Sequence, residues 1–225
     1  MTTNGWVSTR TRIRRHAERA KYDRATVEAI LDEALICHVG FVVEGQPYVI
    51  PTIHARVEDR VYMHGSSVSR MLRTLAEGVP ACLTATVLDG LVLARSSFSH
   101  SMNYRSVVVL GTAREVTDPD EKLAALEAIV EHVVPGRWAD ARWPNEVEMR
   151  STGVLRMPLD EASAKIRTGP PKDRVEDLGL GVWAGVIPLS LVPGDPIADP
   201  NLPGDIDVPA YVRAYRVGGV GGSFD

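Results

Sequence analysis

The stretch V-Y-M-H-G-S-S-V-S-R-M-L-R-T-L, Val61 to Leu75, concentrates side chains that suit an anion. Val61 to His64 reads as a short strand, with a turn at His64-Gly65-Ser66. The chain then restarts as a helix, Val68 to Ala76, whose first turn carries Ser69 and Arg70. Unpaired N–H groups at such a helix start, the positive end of its dipole and a fixed guanidinium together favour a phosphate. Gly65, Ser66, Ser69 and Arg70 therefore read as a phosphate cradle for a nucleotide-type cofactor. Simple capping of the helix by its serines is the competing reading. His64, beside the cradle, is the candidate catalytic residue, because imidazole titrates near neutrality and can deliver a proton during a two-electron reduction. A structural turn histidine is its alternative.

Other reactive types are scattered. Arg105-Ser106 offers a second guanidinium and hydroxyl, or else a salt bridge. Trp183, between Val182 and Ala184, suits stacking on a flat ring and equally a core or interface role. His54, His64 and His100 have no H-x-x-x-H or C-x-x-C spacing around them, so no metal site is expected. Cys37 alternates within an apolar strand and reads as a core thiol. Neither G-x-S-x-G nor a serine or cysteine triad is present.

The elements that must position these residues are mostly strands. Asp23 reads as the N-cap of a helix, Arg24 to Ala34, with Val27, Ile30, Leu31 and Ala34 on one face. Leu35 to Val43, Pro47 to Val57 and Val61 to His64 form an antiparallel meander, with a turn at Glu44-Gly45-Gln46. Pro51 lacks an N–H, which places it at a sheet edge or bulge. Ala81 to Leu88, Leu91 to Ala94 and Tyr104 to Ala113 read as further strands, with a turn at Asp89-Gly90 and a loop over 95–103. Asp118-Pro119 opens a helix. Thr152 to Leu159, Ser163 to Arg167 and Val182 to Pro188 complete the strands, and Val208 to Tyr215 contains a short helix. Residues 135–149 give no clear pattern. Strands in succession with few helices between them indicate an antiparallel barrel with flanking helices.

The chain of 225 residues is 44% hydrophobic and 24% charged, enough for a globular core in one domain, 1–225. Its basic arm, about 1–22, reads as solvated, and its tail, about 190–225, as irregular, with Gly218 to Gly222 disordered. Apolar runs such as Val107 to Leu110 are too short to span a bilayer, and no signal peptide is evident. Two cysteines suggest free thiols in a reducing compartment, hence the cytoplasm. A net charge of −4 argues against a nucleic-acid partner.

Five segments in order carry a family resemblance: P-Y-V-I-P-T (47–52), V-Y-M-H-G-S (61–66) with S-R (69–70), N-Y-R-S-V-V-V-L-G-T-A (103–113), S-A-K-I-R (163–167) and W-A-G-V-I-P (183–188). The pattern resembles the pyridoxamine 5′-phosphate oxidase-like group of flavin-binding split β-barrels. It is nearest the flavin-nucleotide-binding branch, beside the nitroimidazole-resistance proteins. The resemblance implies an FMN-binding split β-barrel and a homodimer with FMN at the interface. Val49, Ile50, Pro51, Thr52 and Ile53 would lie along the flavin ring. Met63, His64, Ser69 and Arg70 would hold the ribityl phosphate region. Ser106, with Arg105, would reach over from the partner, and Trp183 takes the place of a flavin-contacting tryptophan. Two departures matter. Ser69 and Met71 stand where many relatives carry glycine and lysine, which removes one phosphate contact. No arginine–histidine pair follows Trp183, so vitamin B6 oxidation is not implied. The function expected is an FMN-dependent oxidoreductase acting on a small molecule. A flavin-binding module without turnover, or a haem- or deazaflavin-binding barrel, is the alternative.

Overall fold

A computed structural model describes residues 6–218. The chain opens with β1 (Ala20–Lys21), α1 (Arg24–Glu33), β2 (Ile36–Val43), β3 (Gln46–Val57) and β4 (Arg60–Ser66). Next come α2 (Arg70–Ala76), β5 (Pro80–Leu93), β6 (Ser101–Thr112) and β7 (Arg114–Glu115), then α3 (Pro119–Val133), α4 (Arg137–Asp140) and α5 (Glu146–Ser151). It closes with β8 (Thr152–Pro158), β9 (Ala162–Arg167), β10 (Gly185–Pro188) and α6 (Ala210–Arg213). The strands pair antiparallel in the order β1-β9-β6-β5-β2-β3-β4-β8-β7, and β10 adds to β5. This is the antiparallel split β-barrel with flanking helices.

Local chemistry explains the element ends. The Asp23 carboxylate accepts the Thr26 N–H at 2.9 Å and starts α1. Asp118 does the same for Glu121 at 2.8 Å and starts α3, with Pro119 in its first turn. Glu44 and Gly45 both take positive φ between β2 and β3, the twist that a two-residue hairpin requires. Alternation then fills the barrel: Cys37, Val39 and Phe41 from β2, Leu83 and Ala85 from β5, and Val107 and Val109 from β6 all point inward. α1 and α2 close the barrel with Val27, Ile30, Leu31, Leu72 and Leu75. A smaller apolar cluster, including Ala55, Tyr62, Ile129 and Val154, lies beneath α3.

Two readings need correction, and one stretch without a reading gains elements. Asp89-Gly90 is not a turn: β5 continues through it with a bulge between Leu88 and Gly90, because β6 pairs along both sides of the irregularity. The basic arm is not solvated throughout: Trp6 packs on the core, its carbonyl accepts the Ala162 N–H, and Arg10 pairs with Glu161. Residues 135–149 form α4 and α5. The expectation of disorder from Gly218 to Gly222 falls, beyond Gly218, outside the described residues.

The decisive feature for function is β3. Its first half, Gln46 to Ile53, pairs with β2 alone, whereas His54 to Val57 pairs with β4. Pro51 lies in the half whose second edge is open, where a missing N–H costs nothing to a neighbour.

Candidate functional site

β4 does not turn at His64. The strand runs on through Gly65 to Ser66, because Thr152 to Val154 of β8 supply a partner for each residue. Alternation therefore separates neighbours. Met63 is fully buried in the barrel and packs there rather than meeting a ligand. Gly65 faces α2, where a Cβ would come within 3.1 Å of Leu72, so this glycine serves helix packing. His64 shares its face with Tyr62 and points towards α3.

The actual turn follows β4. The Ser67 N–H donates to Ser151 O and the Ser69 N–H to Ser66 O, each at 2.9 Å. The Ser66 hydroxyl accepts the Val68 N–H at 3.4 Å. These donors are therefore used, and α2 has only seven residues. What the turn leaves for an anion is the Ser69 hydroxyl, which makes no capping bond, and the Arg70 guanidinium. Arg70 lies over the Tyr48 ring, 5.0 Å from its centroid, and so stands beside the open half of β3. Along that half Val49, Ile50, Pro51 and Ile53 are exposed, with Thr52 half-buried. An apolar strip with a fixed cation at one end suits a flat, anionic cofactor.

The described residues also line an open cavity of about 500 Å³ on the α3 side. Leu126, Ile129, Val130 and Val133 of α3 form one wall, Trp138 of α4 another, and Ile53 and His64 enter from the sheet. The His64 Nδ1 is buried and has no hydrogen-bond partner among the described residues. Burial lowers the His64 pKa. An unpartnered imidazole nitrogen in a greasy cavity is unusual, since buried polar atoms are nearly always satisfied.

The corner that carries Trp138 is built by a turn. Gly136 takes φ +87°, and Glu131 accepts the N–H groups of Gly136 and Trp138 at 2.6 and 2.7 Å. Trp143 stacks on Trp138 with centroids 6.0 Å apart. Arg137 and Arg142 line the cavity with exposed side chains, which places both at its mouth. Arg142 forks onto Glu148, and with the Asn145 backbone it holds that carboxyl down to about 2. α3 was expected as a helix, but none of Arg137, Trp138 or Arg142 was singled out from sequence as a site residue. The available signal was the clustering of two tryptophans and three arginines within 137–150.

The remaining expected residues lie elsewhere in one chain. Arg105 is tied to Asp89 and Glu33, the salt-bridge alternative, and its hydrogen bonds to Asp89 first and then to Glu33 raise its pKa against the opposing effect of burial. The Ser106 hydroxyl donates to Lys165 O at 3.4 Å. Trp183 is exposed and folds onto Gly185, where a Cβ would clash at 2.8 Å. β5, β2 and β3 separate β6 from β4, so a single chain does not bring Arg105 or Ser106 to Arg70. Cys37 is a core thiol, pushed up to about 12 by burial. Among the described residues no group of three His, Cys, Asp or Glu side chains converges, and no helix is long and apolar enough to cross a membrane.

Comparison with known proteins gives three findings. A family model described as pyridoxamine 5′-phosphate oxidase matches residues 23–166. Among solved structures, the flavocytochrome Anf3 from Azotobacter vinelandii is 40% identical with a TM-score of 0.88, covering 93% of this chain and 98% of its own. An FAD and heme binding protein from Mycobacterium smegmatis is 37% identical with a TM-score of 0.83, covering 87% and 96%. A putative 5-nitroimidazole antibiotic resistance protein from Bacteroides thetaiotaomicron is 26% identical with a TM-score of 0.53, covering 65% and 86%. No curated protein matches.

Proposed function

The chain belongs to the pyridoxamine 5′-phosphate oxidase family, and within it we propose a redox protein that holds a flavin nucleotide along β3 and a haem in the α3–α4 cavity. The observation that carries this reading is the unpartnered His64 nitrogen in an aliphatic cavity with two arginines at its mouth. A haem is a flat apolar macrocycle with two carboxylates on one edge and an iron that takes imidazole. Each part has a counterpart here: the α3 wall with Trp138, then Arg137 and Arg142, then His64. The likeness to one structure named a flavocytochrome and to another named for FAD and heme supports the same pairing.

On this reading Val49, Ile50, Pro51, Thr52 and Ile53 line the flavin ring, and Ser69 and Arg70 meet its phosphate. Arg105, Ser106 and Trp183 come from a second copy in a homodimer, since one chain holds them away from Arg70. Likeness to the FAD-named protein favours FAD over the FMN expected from sequence. Bound flavin and haem would supply the electron chemistry, and the protein supplies orientation and a dry wall. His64 then serves the iron rather than a proton transfer over the flavin, because it lies on the face of β4 away from α2. Ile53 belongs both to the flavin strip and to the cavity wall, so the two sites adjoin. A small-molecule substrate and a cytoplasmic setting complete the proposal.

Reconstitution with haemin and flavin tests it. The wild type should develop a Soret band and release a flavin whose mass identifies FAD or FMN. His64→Ala should lose that band, or bind haem at least 100-fold more weakly, while retaining the flavin. An unchanged haem spectrum in His64→Ala would remove haem from this cavity.

A further inference from the structure

The tail of the chain leaves the barrel at β10 and crosses with most of its apolar residues exposed, Leu191, Val192 and Ile197 among them. It returns at α6, whose Tyr211 packs on the α4 corner. The Tyr211 ring lies 3.5–3.7 Å from where a Cβ of Gly136 would stand, ordinary contact distance, so the φ of +87° rather than space is what favours glycine there. The Tyr211 hydroxyl donates to Asp140 Oδ2 at 2.6 Å. Arg137 Nη1 donates to the Tyr211 oxygen at 3.0 Å and to Asp140 Oδ2 at 3.3 Å. The three side chains close a triangle at the rim of the His64 cavity.

The triangle uses only one nitrogen of the Arg137 fork. Among the described residues, Nη2 and Nε make no hydrogen bond within the protein, so they are available to a carboxylate at the mouth. Left alone, an arginine on an exposed rim would sample many rotamers, and fixing it costs conformational entropy. Here that ordering is done in advance by groups that a ligand does not touch. Asp140 and Tyr211 themselves do not line the cavity.

We infer that Tyr211 and Asp140 are positioning residues: they hold Arg137 across the cavity mouth, so that the C-terminal tail helps retain a carboxylate-bearing ligand there. The inference rests on the haem reading of the cavity and adds a role for the tail, from a part of the chain far from His64 in sequence. It differs from a general stabilising contact in one respect, because the effect must pass through a carboxylate of the ligand.

The test measures transfer of haem from the loaded full-length protein to excess apomyoglobin. Tyr211→Phe, which keeps the ring and removes only the hydroxyl, should release haem about 5-fold faster, the scale of one lost hydrogen bond. Asp140→Asn should also accelerate release. The same proteins loaded with haem dimethyl ester, whose carboxylates are blocked, should release it at one common rate. Equal haem release from wild type and Tyr211→Phe would overturn the inference, as would equal acceleration with the ester, which would mark a merely structural contact. Absence of a His64-dependent Soret band in the wild type would instead overturn the haem reading and the tail's role with it. The two failures are therefore distinct.

Discussion

The two halves of β3 follow opposite rules. From Gln46 to Ile53 one edge is open and residues of both faces are exposed, with Val49 at 64%. From His54 to Val57 the strand joins β4, and His54 and Ala55 are buried at 0% and 1%. The His54 ring donates from Nε2 to Leu31 O at 3.0 Å and lies 5.1 Å from the His132 ring, which donates to Ala34 O at 2.9 Å. One continuous strand thus supplies a binding surface and a structural anchor. Burial on both sides fixes what a residue must be, whereas the open half is free to be shaped by a cofactor and a second copy.

The largest expected effect lies in the buried half. Burial, and then the neighbouring His132, push His54 down to about 4 from an ordinary value of 6.5, and nearby Asp32 opposes this weakly. Between those values the unfolded chain binds a proton that the folded one refuses. Stability should therefore fall as pH drops from about 6.5 to about 4, by on the order of 3 kcal/mol from this residue. Denaturant titrations across that range should show the slope in wild type and a clearly smaller one in His54→Gln. Identical slopes would mean that the buried half is not sealed from water.

Arg70→Ala probes the open half. It should weaken flavin binding by about 1.5–3 kcal/mol, the value of a charged hydrogen bond, while haem loading is unchanged. Calorimetry showing unaltered flavin affinity would detach the phosphate from this turn. The smallest effect is expected at Val49. Val49→Thr should change the stability of the cofactor-free chain by no more than about 0.5 kcal/mol. A loss of several kcal/mol would show that this surface is packed in solution even without a cofactor, and the contrast within β3 would dissolve.

Much of this was legible from sequence because it is local. Alternation in I-C-H-V-G-F gave β2, Asp118-Pro119 gave the start of α3, and Pro51 gave the open edge. Where reading failed, a distant partner decided. β4 continues through Gly65 because β8, far along the chain, pairs with it, and this sets the side to which His64 points, away from α2. The Asp89-Gly90 bulge needs β6 to keep the strand in register. The cavity was missed because α4 and α5 have four and six residues, too few for a helical period, and its imidazole and guanidinia come from segments that only the fold brings together.

Gly90 has a consequence for the chain as a polymer. A side chain there would meet Ile187 O and Val186 Cγ1 at 3.0 Å, so β10 docks on β5 only because that position is bare. The tail is thus held at β10, at the Tyr211 corner and again where Gly218 comes against Glu33 of α1, and the segment between β10 and Tyr211 is a loop of about twenty residues rather than a free end. Each fastening keeps the others at high effective concentration, on the order of millimolar for a flexible tether of this kind. Releasing β10 would leave the rebinding of Tyr211 to the contact of Gly218 with Glu33 alone. These attachments therefore reinforce one another, and a lesion at Gly90 should be felt at Arg137 although no contact joins them.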